Sequence, residues 1–203
     1  MPYTTAHKAE TRKRIVESAR RLFNRHGFTG VSIDEIMAEA GLTRGGFYNH
    51  FETKEELYAE VVTQALSCDP GKRWPELEID RRAPAKIFAR QIVNAYLSKQ
   101  HLEDTEGSCP LMALPSDVAR GGAPVKRAYH QVLEAMVAEL EKGLRANGSG
   151  GRPQALALAS LRIGGMVVAR AVGEAALAQE IREAAKAMAL SMGGWDEVQV
   201  AAE

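Results

Sequence analysis

The side chains able to do covalent chemistry are few and scattered. The five histidines, His7, His26, His50, His101 and His130, show no metal-ligand spacing with one another or with the two cysteines, Cys68 and Cys109. There is no G-x-S-x-G elbow, and no glycine loop follows a strand and opens a helix to cradle a phosphate. Enzymatic activity, a metal and a cofactor are therefore not expected. What the chain concentrates instead is hydrogen-bond donors. Over the stretch SIDEIMAEAGLTRGGFYNHFETK stand Ser32, Thr43, Arg44, Tyr48, His50 and Lys54. Hydroxyl, imidazole and ammonium groups suit phosphate oxygens, and an arginine can pair with the edge of a guanine. The chemistry on offer is recognition of a polyanion.

Those donors must be held by short elements, and the spacing defines them. Ser32 with Glu35 three residues later is a capping box, so a helix begins at about residue 33. Ile33, Ile36, Met37 and Ala40 recur on one apolar face, while Asp34, Glu35 and Glu39 stay wet. Gly41 can take the left-handed conformation that ends a helix, and Leu42 can fold back as the plug of the turn. Thr43 can cap a second helix, Arg44 to His50, in which Phe47 and Phe51 face inward. Arg44, Gly45, Tyr48 and Asn49 then face outward. With Gly45 and Gly46 in its first turn, this helix lets backbone approach a partner closely, as recognition helices approach base edges. Thr53 with Glu56 is a second capping box, opening a helix to about Leu66. Lys54 in its first turn opposes the helix dipole, which a phosphate contact would explain.

The run LTRGGFYNHFETKEEL at 42–57 resembles the signature of the tetracycline-repressor (TetR) family of bacterial transcription regulators. Upstream, IVESARRLFNRHGFTGVSIDEIMAEAG at 15–41 is similar to the family's first two helices. The resemblance implies an all-α chain with an N-terminal three-helix helix-turn-helix domain at 1–67 and a C-terminal helical domain at 68–203 for effector binding and dimerisation. It implies a ligand-responsive repressor that binds double-stranded, palindromic operator DNA as a homodimer and is released by a small apolar or amphipathic effector. Carried over residue by residue, Ser32, Thr43, Tyr48, His50 and Lys54 would grip phosphates, with Arg44 and the backbone at Gly45 and Gly46 against bases. Many family members carry a side chain at one or both glycine positions, and here the chain departs from them.

Whole-chain properties agree. Lysine plus arginine balances aspartate plus glutamate at 26 each over 203 residues, so net charge points to no partner. Residues 1–51 carry eight lysines or arginines against five acids, a small basic excess. Nothing resembles a signal peptide, and no apolar run approaches the roughly 18 residues a membrane span needs, so a cytoplasmic protein is expected. Two cysteines fit a reducing compartment.

In chain order, residues 1–7 read as a disordered arm and Lys8 to Arg25 as a helix ended by Gly27. Ile15, Val16, Ala19, Leu22 and Phe23 form its apolar stripe. Arg12, Lys13 and Arg20 lie off it, where solvent or phosphates could meet them. Cys68 to Gly71 is a turn signal, 72–83 reads as irregular, and a helix follows from Pro84 to about Gln100. A short helix starts at Cys109 and either ends at Pro115 or continues to Ala119. Val125 to Ala146 is long and amphipathic, and NGSGG at 147–151 is a connector. The last two helices, about Pro153 to Val172 and Ala175 to Met192, are apolar on more than one side.

Such surfaces need two partners. Ile163, Gly164, Val168, Ala184, Ala185 and Met188 are the candidate dimer face, the alternative being an intramolecular core; the resemblance implies a four-helix bundle across a two-fold axis. Candidate effector contacts on the middle helices are Phe88, Ile92, Tyr96, Met112, Tyr129, Met136, Met166 and Arg170. The polar tips of Tyr96, Tyr129 and Arg170 either find internal partners or orient an effector. Cys109 offers an alternative on the same scaffold: at a helix start its thiol could be activated, making the chain a redox or electrophile sensor, whereas simple packing is the plainer role.

Overall fold

The computed structural model describes residues 5–148 and 150–196. Helix α1 spans Thr5–His26, α2 Ile33–Glu39, and a 3-10 helix Arg44–Asn49 stands where the recognition helix is expected. Then come α3 (Lys54–Thr63) with a 3-10 turn at Gln64–Ser67, α4 (Pro70–Arg73), a 3-10 turn at Pro75–Leu77, and α5 (Ala85–Tyr96). They are followed by α6 (Lys99–Glu103), α7 (Pro110–Ala113), α8 (Pro115–Arg120), α9 (Ala123–Ala146), α10 (Arg152–Ala171) and α11 (Ala175–Gly193). No strand occurs among the described residues. The fold is all-α, with an N-terminal helix-turn-helix and a helical C-terminal domain.

Several expected elements differ. Thr5–His7 of the expected arm already belong to α1, while residues 1–4, like Ser149 of the connector, lie outside the described residues. The helix expected to reach Gln100 stops at Tyr96, because the Ser98 hydroxyl accepts the His101 N–H (3.1 Å) and caps a separate α6. Pro115 splits the segment after Cys109 into α7 and α8; Leu114 before it leaves the helical region (φ −126°, ψ 17°), as a residue preceding proline tends to. The expected turn at 68–71 is instead a capped helix start, since the Asp69 carboxylate accepts the Gly71 N–H (3.1 Å) with Pro70 in the first turn.

The chain packs as two compact units, residues 1–67 with 105–132, and residues 68–104 with 133–203, the division falling inside α9. In the first unit Ile15, Ala19 and Phe23 of α1 meet Ile36 and Met37 of α2, Phe47, Phe51, and Leu57, Tyr58 and Val62 of α3 in one buried core. Phe28 stacks on Tyr58 (4.6 Å, 20°) and Phe23 meets the same ring edge-on (5.2 Å, 69°). The segment after residue 104 is fastened to α1. Arg20 and Asn24 donate to the Glu106 carbonyl (2.6 and 2.7 Å), Asn24 also donates to the Ser108 carbonyl (3.1 Å), and Arg25 pairs with the Glu106 carboxylate.

Asp117 on α8 completes this attachment. Its Oδ2 accepts the Phe28 N–H (3.0 Å) just past the left-handed Gly27 (φ 73°), and its Oδ1 pairs with Arg120 (2.8 Å). A carboxylate thus satisfies a backbone donor at the end of α1. Asp117→Ala is expected to cost about 1.5–3 kcal/mol, the range for a hydrogen bond to a charged group. Asp117→Asn should cost less, because the amide oxygen still accepts. Urea denaturation of the three proteins tests this, and equal midpoints for wild type and alanine variant would refute it.

In the second unit, arginines from α10 and α11 satisfy carbonyls at the ends of α5 and α6. Arg162 donates to the Ile92 carbonyl (3.0 Å), Arg182 to Leu97 (2.9 Å), and Arg170 to Leu102 (2.7 Å) and His101 (3.2 Å). Helix C-termini carry partial negative charge and orphan acceptors, so guanidinium groups are suited there. Beside them His101 is buried, its Nδ1 on the Tyr96 carbonyl (2.7 Å) and its ring 5.0 Å from that of Trp74. Burial, followed by Arg170 and Arg162, outweighs the raising effect of the Tyr96 hydrogen bond and pushes its pKa down to about 4.

Unfolded, His101 titrates near about 6.5. The folded chain therefore binds fewer protons there, and its stability is full above about pH 6.5 and drains away as pH falls towards 4. The expected loss is about 3 kcal/mol, and His101→Gln should flatten that part of the stability-against-pH curve. Denaturation midpoints at a series of pH values are the check, and an unchanged slope in the variant would count against it.

α11 ends in a Schellman turn. Gly194 (φ 61°) lets the Trp195 N–H reach the Leu190 carbonyl (2.9 Å), folding the indole fully inside against Gly143 and Gly193, where a Cβ would collide with it.

Candidate nucleic-acid interface

Local geometry holds the donors at the start of the stretch 32–54 as their spacing predicts, and those further on differently. At the start of α2 the Glu35 N–H donates to the Ser32 hydroxyl (3.2 Å), while the Ser32 N–H and hydroxyl both donate to the Glu35 carboxylate (2.7 Å each). Those bonds hold the Glu35 carboxyl below the usual carboxylate range. At the other end Gly41 has φ 66°, the Gly41 N–H reaches the Ala38 carbonyl (2.9 Å) and the Leu42 N–H reaches Met37 (2.8 Å), a second Schellman turn. The turn delivers Thr43 in extended conformation to the head of the recognition helix. That helix is a tight 3-10 run rather than α-helix and stops at Asn49, one residue short of expectation. Two glycines, which weaken an α-helix, stand in its first turn.

The recognition helix hangs from Phe47, its one buried residue, which is fully covered, while Tyr48 beside it is 58% exposed and stands edge-on to the Phe47 ring (5.3 Å, 84°). Thr43 sits at the N-cap position but its side chain makes no capping bond, contrary to expectation. Gly45 has no atom within 4 Å of where a Cβ would stand, and Gly46 only an ordinary contact with Met37 (3.5 Å), so neither glycine is required by the chain's own packing. Arg44 is exposed and paired with Asp34 on α2 (2.7 Å).

Two of the expected phosphate contacts, Ser32 (through its bonds with Glu35) and Lys54, already have partners for their side chains within the protein. The Lys54 ammonium donates to the Val31 carbonyl and lies 4.3 Å from the centroid of the Phe28 ring, so it ties α3 to the loop before α2. Burial is what lowers its pKa, against Glu55, Glu35 and Asp117. His50 is half-buried; burial, then Lys8 and Arg12, lowers its pKa, and its Nδ1 has no hydrogen-bond partner. Arg12 and Arg20, read from sequence as solvent- or phosphate-facing, bind protein instead. Arg12 donates to the His50 carbonyl and to Glu60 (Nε–Oε2, 3.1 Å) and covers the Phe51 ring at 3.9 Å, clamping the end of the recognition helix. Sequence missed Asp34, Arg12 and Asp117 because their partners are 10, 38 and 89 residues away.

Residues 15–61 match the family model described as bacterial regulatory proteins, tetR family. TtgW of Pseudomonas putida, named as an uncharacterized HTH-type transcriptional regulator, is 34% identical over 101 residues, 49% of this chain and 75% of TtgW. The chain belongs to the TetR family. A second relative of that description, YfiR of Bacillus subtilis, is 32% identical over 126 residues, 62% of this chain. The match spans about half of YfiR (53%) and between 29% and 53% of the first relatives compared. The crystal structure of reduced NemR from Escherichia coli superposes with a TM-score of 0.70 over 90% of this chain and 96% of NemR at 22% identity, a likeness of fold. The chain thus carries the helix-turn-helix of the TetR family at its N-terminal end. No described helix is long and apolar enough to cross a membrane.

Outside the helix-turn-helix, this TetR-family chain distributes its remaining candidates unevenly. On α10, Gly164 and Val168 (49%) are exposed and Ile163 half-buried; on α11, Ala184 and Met188 (56%) are exposed. Ala185 differs, for it is buried against Gly165 of its own chain, where a Cβ would come within 2.7 Å. Leu156 and Leu177 are further exposed apolar residues on the same two helices.

Of the effector candidates, Met112 and Tyr129 belong to the unit of the helix-turn-helix, and Phe88, Ile92, Tyr96, Met136, Met166 and Arg170 to the other. Met112, Tyr96 and Met166 are buried core residues. Arg162 lies over the Tyr96 ring (4.6 Å), the Tyr129 hydroxyl donates to the Leu111 carbonyl (3.1 Å), and Arg170 caps α6. Phe88, Ile92 and Met136 are half-buried. A surface cleft of ≈ 490 Å³ lined by Lys13, Val16, Glu60, Thr63, Gln64, Leu66 and Ser67 includes none of them.

Proposed function

We propose that this regulator is a homodimeric repressor of a palindromic operator, released by a small apolar or amphipathic effector. Residues 1–67 read DNA and 68–203 bind effector and dimerise. Thr43, Tyr48, Ser32, His50 and Lys54 face phosphates, while Arg44, Gly45 and Gly46 face bases. The observation that carries this reading is the recognition helix itself. It is anchored on one side by Phe47, and on the other presents Tyr48, an uncapped Thr43 hydroxyl and two glycines that its own packing does not need. That is room for a partner's backbone. The exposed apolar and small residues of α10 and α11 support the dimer. For effector control, the support is that residues 105–132, with Met112 and Tyr129, pack with the reading head, so a ligand touching them touches it too.

The test is binding to DNA carrying the promoter beside the protein's own gene, with and without small hydrophobic compounds that bind the protein. If a compound weakens operator binding about tenfold, operator must weaken the compound's binding equally, a coupling of about 1.4 kcal/mol. Identical compound affinities in the two states would sink release by effector. No promoter binding at all would sink the whole reading.

A second reading makes Cys109 a thiol sensor. It is partly exposed at the start of α7, and the Ser108 carbonyl beside it accepts from Asn24 of α1, so a modified thiol would disturb the helix that carries the reading head. The structural neighbour NemR was solved in a reduced form. Alkylation of Cys109 that leaves operator affinity unchanged would discard this reading.

A further inference from the structure

We propose that Asp34 is a specificity-determining residue, its carboxylate setting the Arg44 guanidinium in the orientation from which it reads one guanine of each half-site. The inference rests on the reading of Arg44 as a base contact. Asp34 lies in the first turn of α2 and Arg44 opens the recognition helix, and Nη1 of the arginine meets Oδ2 of the aspartate at 2.7 Å. It is the one ion pair joining those two elements among the described residues. Both side chains are more than half exposed, at 62% and 56%, and a pair so wet adds little to folding.

Electrostatics sharpens the point. A carboxylate beside donors meant for phosphates repels every DNA backbone, so its presence weakens binding without regard to sequence. It is useful there if it acts on a neighbour. A guanidinium is a rigid planar fork, and guanine accepts two parallel N–H bonds at O6 and N7 from such a fork. Holding Nη1 on Asp34 fixes the plane and leaves the Nε and Nη2 donors for the base. An unrestrained arginine would lose its rotamer freedom on binding, whereas one already held has lost it beforehand. Gly45, next in sequence, has nothing within 4 Å of its Cβ direction, so the space beside the start of the helix is open.

The experiment uses the full chain. Preferred sites are selected from a randomised DNA library, and affinities are then measured for the selected site, its single-base variants and unrelated DNA. The proteins are wild type, Asp34→Ala, Asp34→Asn, Arg44→Ala and the double alanine variant, each first shown to melt as wild type does. Arg44→Ala should lose preference at one position per half-site, with discrimination falling about tenfold. Asp34→Ala should lose it at the same position while unrelated DNA binds as well as before or better, with Asp34→Asn in between. The double variant should discriminate no worse than Arg44→Ala alone. Asp34→Ala with wild-type preference, beside an Arg44→Ala that has lost it, overturns the proposal. So does a uniform rise in affinity with preference intact, the mark of simple repulsion. If Arg44→Ala itself keeps the wild-type preference, it is the base-reading assignment that fails.

Discussion

Val168→Arg is expected to convert the proposed dimer to monomer and to weaken binding to the proposed operator about a hundredfold or more, the scale on which linking two binding modules raises affinity. Val168 is 49% exposed on α10, and the neighbouring Gly164 has open space around its Cβ direction. Half exposed in the subunit, position 168 lets an arginine reach water, so the cost falls on the proposed contact with a second copy, where a buried unpaired charge is strongly disfavoured. Met188→Arg, on the exposed face of α11, should do the same. Sedimentation equilibrium reads the mass and an anisotropy titration the affinity. A variant that stays dimeric and binds operator normally would move the interface elsewhere. Ala185→Arg is a useful contrast: that site faces Gly165 inside the chain, so its penalty should appear in the melting temperature of the subunit.

Phe47→Ala should destabilise the helix-turn-helix unit by about 3–5 kcal/mol, the usual cost of deleting a fully buried phenylalanine. Its ring lies 5.6 Å from Phe51 and 5.3 Å from Tyr48, and it is the buried residue of a six-residue 3-10 helix. A single 3-10 helix has too few hydrogen bonds to hold itself, so losing this contact should release Arg44–Asn49 altogether. DNA binding is expected to vanish at temperatures where the second unit still melts normally. Far-UV circular dichroism in urea gives the stability, and a loss below about 1 kcal/mol would mean that the helix is held by something other than Phe47.

What the chain declares in its sequence is what residues within five positions of one another decide. The Ser32–Glu35 box, the Gly41 stop and the Thr53 cap are all of that kind, and each is where spacing puts it, although at Thr53 only half of the expected box forms, the Glu56 carboxylate accepting the Glu52 N–H (2.8 Å) instead. The resemblance at 42–57 works because it condenses such local rules. Where local rules compete, the reading slips: Ser98 can cap as well as lie within a helix, and Pro115 can open one helix as well as end another. Long-range partners leave no periodic trace. Nothing in the composition of α1 says that Arg12 will clamp His50 and Glu60 or that Arg20 will hold the Glu106 carbonyl, for a cation off the apolar stripe suits water equally well. Lys54 teaches the same lesson from the other side. Its unfavourable place in a helix's first turn correctly marks it as unusual, yet a carbonyl and an aromatic face within the protein supply partners that spacing could not reveal.

The placement of the indoles gives this protein an optical asymmetry. Its two tryptophans, Trp74 and Trp195, both lie in the unit of residues 68–104 and 133–203, and the unit with the helix-turn-helix contains neither. Trp195, sealed from water, should emit at short wavelength, whereas half-buried Trp74 stands against the His101 imidazole and should dim when that ring gains a proton. Intrinsic fluorescence therefore reports on the unit that lacks the helix-turn-helix, and a change in tryptophan emission on adding the proposed operator is a change felt by that unit, obtained without attaching a dye.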